Sequence, residues 1–426
     1  LMADDEVPRR EPPPIAEGTI ERVSVRRSGE ETTGRSFAGE ISGDGDVIVY
    51  QSTGEDIAGG DANGARADVF HVLVDDGLQP GSVLMVSRNG DVQGNSASSQ
   101  PSVSDDGNVV GFLSNATNLW TGRDRNRAPD VFMHVVDEGT VTRVSVSTKG
   151  VPADKGSSEV DVSGNGDFIA FTTAATNLAV KGDRNRRDDI FVRDVVAEKT
   201  NRANIRSGTL DEADEDSSHP SISEDGHYVA FSSPADTLSG EDTNNNSDVF
   251  RYNRLLHQTV RASLGLGVAS NAAGASEQPS ISVDGKRIAF VSNAENLHPD
   301  DTSEDLDVFV YDFIERETTL VTRGATPSET GNPVISGDGN YVAFDSAAPD
   351  LVPGDTNGVR DVFFYDIEAA ELVRVSVDED GGEVSQPSFD PSITNDGSFV
   401  TFTSVASLVP TDTNEVEDVY LRGPLY

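Results

Sequence analysis

The chain predicts an all-β fold, a seven-bladed β-propeller of four-stranded antiparallel blades whose last blade is completed by the N-terminal strand. Three observations predict it. A hairpin word recurs seven times in phase, and each copy carries a third strand opening on Asp-Val-Phe or a variant. The one copy that lacks a fourth strand is matched by a spare strand at the other end of the chain.

The hairpin word is "HPSISEDGHYVAFSS", His219 to Ser233, and its turns fall at Asp44-Gly45, Asp106-Gly107, Asn165-Gly166, Asp225-Gly226, Asp284-Gly285, Asp338-Gly339 and Asp396-Gly397. Successive spacings are 62, 59, 60, 59, 54 and 58 residues. Asp-Gly and Asn-Gly between alternating apolar runs are the strongest short hairpin signal, because these residues accept the positive φ of a type I′ turn. Third strands start at Asp68, Asp130, Asp189, Asp248, Asp307, Asp361 and Asp418, and fourth strands follow, as in Thr140 to Val146 and Gln258 to Leu264. Such a unit cannot bury both faces alone, so units must stack in a ring. Helical periodicity is absent.

Copy seven stops six residues beyond Tyr420, whereas Thr19 to Ser24 ("TIERVS") matches Thr140 to Ser145 ("TVTRVS") in four of six positions, including Arg before Val-Ser. Closure by this strand removes a bare sheet edge. The chain then divides into a Pro-rich tail, residues 1–18, and one propeller, residues 19–426. The closing strand can serve its own ring or a neighbour's, and exchange between copies would build a filament.

Two aromatic columns run through the copies: Tyr50, Phe112, Phe171, Phe231, Phe290, Phe344 and Phe402, then Phe70, Phe132, Phe191, Phe250, Phe309, Phe363 and Tyr420. They hold 14 of the 27 Phe, Tyr and Trp residues, which assigns most aromatic content to packing between blades. Before the first column stand mostly small residues (Val49, Gly111, Ala170, Ala230, Ala289, Ala343, Thr401), leaving room for the next blade.

Composition narrows the partners. With 32 Lys+Arg against 74 Asp+Glu the formal charge is −42, which repels nucleic-acid backbones and anionic lipid. Cationic partners, divalent metals and salty surroundings fit better, and lysine is scarce, at positions 149, 155, 181, 199 and 286. No apolar run is long enough to span a bilayer. Residues 1–18 show no apolar segment or cleavage site of an export signal. Without cysteine there is no disulfide framework.

The words "PSISEDGHYVAF", "PSISVDGKRIAF" (Pro279 to Phe290) and "DVFVYD" (Asp307 to Asp312) resemble the WD40-like propeller repeats of the TolB family, over residues 19 to 424. The family's namesake pairs six blades with an N-terminal α/β domain in the periplasm, whereas seven copies and a short tail are found here. The resemblance implies an exported protein, extracellular, cell-surface or periplasmic, whose propeller binds other proteins.

Between second and third strands lies an acidic loop, Asp-x-Asn/Ser-x-x-x-Asp in six of seven copies. Oxygen donors at alternate positions of a tight loop suit Ca²⁺. The candidate ligands are Asp300, Asp301, Ser303, Asp305 and Asp307; Asp242, Asn244 and Asp248; Asp355, Asn357 and Asp361; and Asp412, Asn414 and Asp418. The other reading is that Asp and Asn cap nearby backbone N–H groups and hold the loop without metal. Strand alternation places these loops on the same face as the connectors between blades, the default interaction surface.

At the start of the inner strands, Ala38, Gln100, Glu159, His219, Gln278, Asn332 and Asp390 ring the channel mouth as candidate binding residues. Catalytic readings fare poorly: no Gly-x-Ser-x-Gly elbow is present, and His71, His134, His219, His227, His257 and His298 occupy different positions of different blades. The sequence therefore reads as a non-enzymatic, extracytoplasmic module that binds proteins or its own copies, with calcium as candidate cofactor. The competing reading is a lyase-like carbohydrate-active enzyme or glycan binder on the acidic face.

Overall fold

The computed structural model describes residues 18–59, 61–74, 83–209, 211–239, 243–266, 270–326 and 328–425. The predicted tail, apart from Gly18, and Asp242 among the candidate ligands lie outside them. Seven four-stranded antiparallel sheets form the ring, with innermost strands Ser36–Ile41, Ser98–Val103, Ser157–Val162, Ser218–Ile222, Ser276–Ile281, Thr330–Ile335 and Ser388–Ile393. Third strands begin at the expected aspartates, from Asp68–Leu73 to Asp418–Gly423.

The ring closes within the chain. Thr19–Arg22 pairs antiparallel with Asp418–Gly423, with Thr19 opposite Gly423 and Arg22 opposite Tyr420. Val23 N–H donates to Val419 O at 2.8 Å, and the Ser24 hydroxyl donates to Asp418 at 2.5 Å.

Hydrophobic packing lies between blades. Seven clusters of buried residues each join two consecutive blades; one sets Ala170, Ile190 and Val192 against Val229, Phe231 and Phe250. Another joins last to first, with Val419 and Leu421 against Tyr50 and Phe70. Inside each blade the two columns stack pairwise, as in Phe231–Phe250 at 5.8 Å between centroids, and both rings are fully buried. Burying one such side chain contributes roughly 1.5–3 kcal/mol.

Two details depart from the sequence reading. Outer strands are shorter than expected, Thr140–Arg143 and Gln258–Arg261, because the chain then leaves for the next blade: Val146 bridges Pro152, and Leu264–Gly265 pairs with Ser270–Asn271. The hairpin turns are not type I′, since only the glycine takes positive φ (Gly226, 67°). The aspartate serves as an acceptor instead, as Asp225 Oδ1 takes the Ser223 hydroxyl at 3.1 Å and His227 N–H at 2.9 Å.

These turns also bond to one another around the ring. Asp44 N–H donates to Asp105 O, Asp105 to Gly164, Asn165 to Glu224, Glu224 to Val283, Val283 to Gly337, Asp338 to Asn395, and Asn395 back to Gly43, at 2.8 to 3.1 Å. Side chains crowd inward here. A Cβ on Gly164 would stand 2.2 Å from Asp105 Oδ2, and one on Gly337 2.1 Å from Asn395 Oδ1.

Candidate functional site

Inner strands converge on a channel of about 580 Å³, lined at one mouth by Gln100, Glu159, His219, Gln278, Asn332 and Asp390, and at the turn end by Asp105, Glu224 and Asn395. The predicted mouth residues are thus brought together. Ala38, Gln100, His219, Gln278, Asn332 and Asp390 have φ between 49° and 53°, each inside a β-bulge of its strand or beside one. Proline follows at 101, 220, 279, 333 and 391, tolerable because a bulge frees that position from donating to the ladder.

The bulge leaves backbone N–H groups facing the channel, and side chains of the preceding blade accept them. Gln51 takes Gln100 N–H at 2.9 Å, Glu159 takes His219 N–H at 2.8 Å, Gln278 takes Asn332 N–H at 3.0 Å, and Asp345 takes Asp390 N–H at 3.1 Å. Glu159 and Gln278 therefore help tie blades together. The Asn332 carboxamide donates to Asp345 at 2.8 Å and to Asp390 at 3.1 Å. Burial pushes the Asp345 carboxyl up to about 6 and raises that of Asp390, with Arg360 opposing both shifts. His219 Nε2 lies 3.8 Å from Glu159 Oε1.

Deeper in the bore stands a second polar set that the sequence reading missed. Glu40 Oε1 accepts Val103 N–H at 2.9 Å and the Ser102 hydroxyl at 3.1 Å. That hydroxyl also lies 3.2 Å from Asp161 Oδ1, and Asp161 Oδ2 accepts Ile222 N–H at 2.7 Å. Ser221, Ser280 and Ser392 take Ile281, Ile335 and Ile41 N–H in the same way. Both carboxylates touch the bore but have protein on every other side. Burial and then the Asp161 charge push Glu40 up to about 8, and burial pushes Asp161 up to about 6. The available signal was the inner-strand column Glu40, Ser102, Asp161, Ser221, Ser280, Val334, Ser392.

The acidic loops do share a face with the connectors. The loop carboxamide reaches a connector carbonyl in several blades: Asn126 to Lys155 O at 3.0 Å, Asn185 to Ala213 O at 2.8 Å, Asn244 to Ala272 O at 3.0 Å, Asn357 to Val384 O at 2.9 Å and Asn414 to Thr32 O at 3.0 Å. The residue after it is left-handed in these blades, as at Arg127, Arg186, Asn245, Gly358 and Glu415.

Beneath these loops an outer-strand arginine faces the candidate ligands. Arg22 Nη1 stands 2.7 Å from Glu31, 3.5 Å from Asp412 and 3.9 Å from Asp418. Those three acids are, among the described residues, the one carboxylate triad close enough together to hold a metal ion, and the guanidinium sits against all three. Arg374 repeats the arrangement with Asp355 at 3.4 Å, Asp361 at 3.3 Å and Glu383 at 2.9 Å. Arg143 pairs with Asp130, Arg202 with Asp189 and Arg261 with Asp248. In the first blade Gln93 donates to Asp61 at 2.9 Å and Asp68 at 2.7 Å. The signal was the Arg-x-Ser of the outer strands, whose hydroxyl binds the same aspartate, as Ser376 binds Asp361 at 2.7 Å.

The remaining candidate ligands, Asp300, Asp301, Ser303, Asp305 and Asp307, share the fifth loop; Asp300 pairs with Arg323 outside it. Five histidines lie away from the channel lining. Buried His71 and His134 bond Gly107 O at 3.2 Å and Val86 O at 2.8 Å, His227 pairs with Asp225, His257 with Tyr252, and His298 accepts Asp300 N–H.

No protein-family model matches the chain, and no curated protein matches its sequence. Its fold is similar to that of the β-propeller domain of the Trilobed protease from Pyrococcus furiosus, a propeller with an open velcro topology (9% identity, TM-score 0.55, covering 93% of this chain and 98% of that one). It is also similar to oligogalacturonate lyase from Vibrio parahaemolyticus (9% identity, TM-score 0.53, covering 96% and 92%). TolB from Acinetobacter baumannii aligns at 14% identity and a TM-score of 0.42, over 85% of this chain and 67% of that one. At these identities the likeness is one of fold.

Proposed function

We propose that the chain is a non-enzymatic propeller that acts outside the cytoplasm as a protein-binding module, seating a positively charged segment of its partner at the acidic channel mouth. The observation that carries this reading is the channel itself. Its mouth presents Glu159 and Asp390 and its turn end Asp105 and Glu224, on a chain of formal charge −42. About 580 Å³ admits one or two side chains or a short peptide, not a folded domain. Complementary charge speeds encounter and orients the partner. The extracytoplasmic placement rests on the repeat resemblance. Copies of the chain remain candidate partners, and they would meet through faces, because the closing strand is satisfied internally.

The second reading, a glycan-active propeller, draws on the His219–Glu159 pair in the channel and on the fold shared with an oligogalacturonate lyase. An oligogalacturonate is polyanionic, and the mouth would repel it. Calorimetric titration with a hexa-arginine peptide separates the two. Our reading expects micromolar binding that weakens with salt and falls at least tenfold in Glu159→Gln/Asp390→Asn. Equal peptide affinity for this variant would overturn the site, and turnover of oligogalacturonate lost in His219→Ala would establish the enzyme instead.

A further inference from the structure

Between the third and fourth blades, beside the third blade's outer strand, lies a cleft of about 710 Å³, larger than the channel. It exists because one side chain is short. At the fourth position of the third strand, opposite the small residue of the second, the fourth blade has Arg251 and the sixth has Phe364. Arg251 lies 4.6 Å from the centre of the Tyr228 ring and 3.4 Å from that of Phe313, and Phe364 stacks on Tyr341 at 5.1 Å. The third blade has Val192 there, opposite Ala170, and two methyl groups replace a guanidinium or a ring. Arg254 of the fourth blade instead covers one face of Phe168, the equivalent of Tyr228 and Tyr341, at 4.4 Å, and its Nη1 donates to Gly226 O at 2.5 Å. Val192, Ile205 and Tyr252 belong to the buried core of this blade pair, so the cleft is where that core reaches the surface. Val180 and Leu255, at its rim, are 91% and 66% exposed.

Its charge sets the cleft apart. The lining holds four Lys and Arg residues, at positions 181, 184, 202 and 254, against three acids, Asp194, Asp211 and Glu212, on a chain with 32 against 74. The channel lining, by contrast, contains neither Lys nor Arg among the described residues. Two of the three acids are already engaged: Glu212 by the Arg202 guanidinium and by Arg184 N–H at 3.0 Å, and Asp194 Oδ1 by Ala197 N–H at 2.6 Å. Among the described residues, Lys181, Arg184 and Arg254 enter no ion pair. The Tyr252 hydroxyl and His257 Nδ1 bond at 2.7 Å, which leaves His257 Nε2 outside that bond. An apolar floor beside a guanidinium without a counter-ion is complementary to an organic anion.

We propose that this cleft binds a small aromatic carboxylate, with its ring against Phe168, Val192 and Tyr252 and its carboxylate on Arg254. Flat aromatic and guanidinium surfaces favour a planar body, and arginine orients a carboxylate through paired N–H donors. The site is separate from the channel and takes a ligand of opposite charge.

Displacement of bound anilinonaphthalene sulfonate, followed by fluorescence, tests the proposal on the full-length protein. The natural chain should bind one dye with a Kd of about 10–100 μM. Naphthalene acetate should displace it about tenfold more tightly than uncharged naphthalene ethanol. Arg254→Gln should weaken naphthalene acetate about tenfold and leave naphthalene ethanol unchanged. Val192→Phe, which puts into this cleft the ring that Phe364 supplies in the sixth blade, should abolish displaceable dye binding. The channel variant Glu159→Gln/Asp390→Asn should behave as the natural chain. Absence of dye binding, equal displacement by the uncharged analogue, unchanged affinity in Arg254→Gln, or dye binding untouched by Val192→Phe would each overturn the proposal.

Discussion

Replacing Glu40 by glutamine should flatten the alkaline side of the stability profile. In the folded chain this carboxyl titrates at about 8 instead of 4.5. The unfolded chain therefore releases the proton above pH 4.5 while the folded chain keeps it until about pH 8. The unfolded state binds fewer protons across that window, so stability falls as pH rises through it. A displacement of that size corresponds to at most roughly 5 kcal/mol, and the water-accessible bore reduces it to about 2–3 kcal/mol. For a chain of 426 residues the unfolding entropy is about 0.9 kcal/mol/K, which makes the loss about 2–3 °C in Tm. Glutamine keeps a carbonyl oxygen for Val103 N–H and the Ser102 hydroxyl, so packing is preserved. Asp68, Asp130, Asp161, Asp189, Asp307, Asp345 and Asp418, raised to about 6, produce their losses earlier and in both proteins. Scanning calorimetry from about pH 4 to 8.5 at fixed ionic strength should show nearly equal Tm at the acid end and an advantage for Glu40→Gln that widens between pH 4.5 and about 8. Parallel curves would refute the reasoning.

Two further substitutions probe the ties between strands and blades. Arg143→Leu strands buried Asp130 and should cost about 3–5 kcal/mol by denaturant unfolding in EGTA; a cost below about 1 kcal/mol would remove arginine from the account of these loops. Gly337→Ala forces a methyl onto Asn395 and should cost about 1–3 kcal/mol, most of it recovered when Asn395→Ala is added; an additive double mutant would deny the contact.

The ring was legible in the sequence because a propeller repeats its constraints. Every aromatic column position, every third-strand aspartate and the spare N-terminal strand recur at fixed phase, and packing between blades has no alternative place to put Phe231 or Phe309. What was not legible depends on contacts across blades. Glu40 and Asp161 lie 121 positions apart and meet only through Ser102 of the intervening blade. The left-handed conformation at Gln100 and His219 follows from a bulge, which strand alternation does not report. The loop carboxylates were visible, whereas their arginine partners required the register that sets Arg374 beside Asp361 and Leu320 in the equivalent place.

The closed ring itself is most directly tested by a cross-link, which the absence of cysteine makes clean. Val23 N–H bonds Val419 O, so alternation makes Ile20 opposite Arg422 a pair without backbone hydrogen bonds, where side chains approach closest. Mild oxidation of Ile20→Cys/Arg422→Cys should give an internal disulfide and a single 45.2 kDa species at every protein concentration. A reducible ladder of oligomers that grows with concentration would show that the strand serves a neighbour, and would contradict closure within one chain.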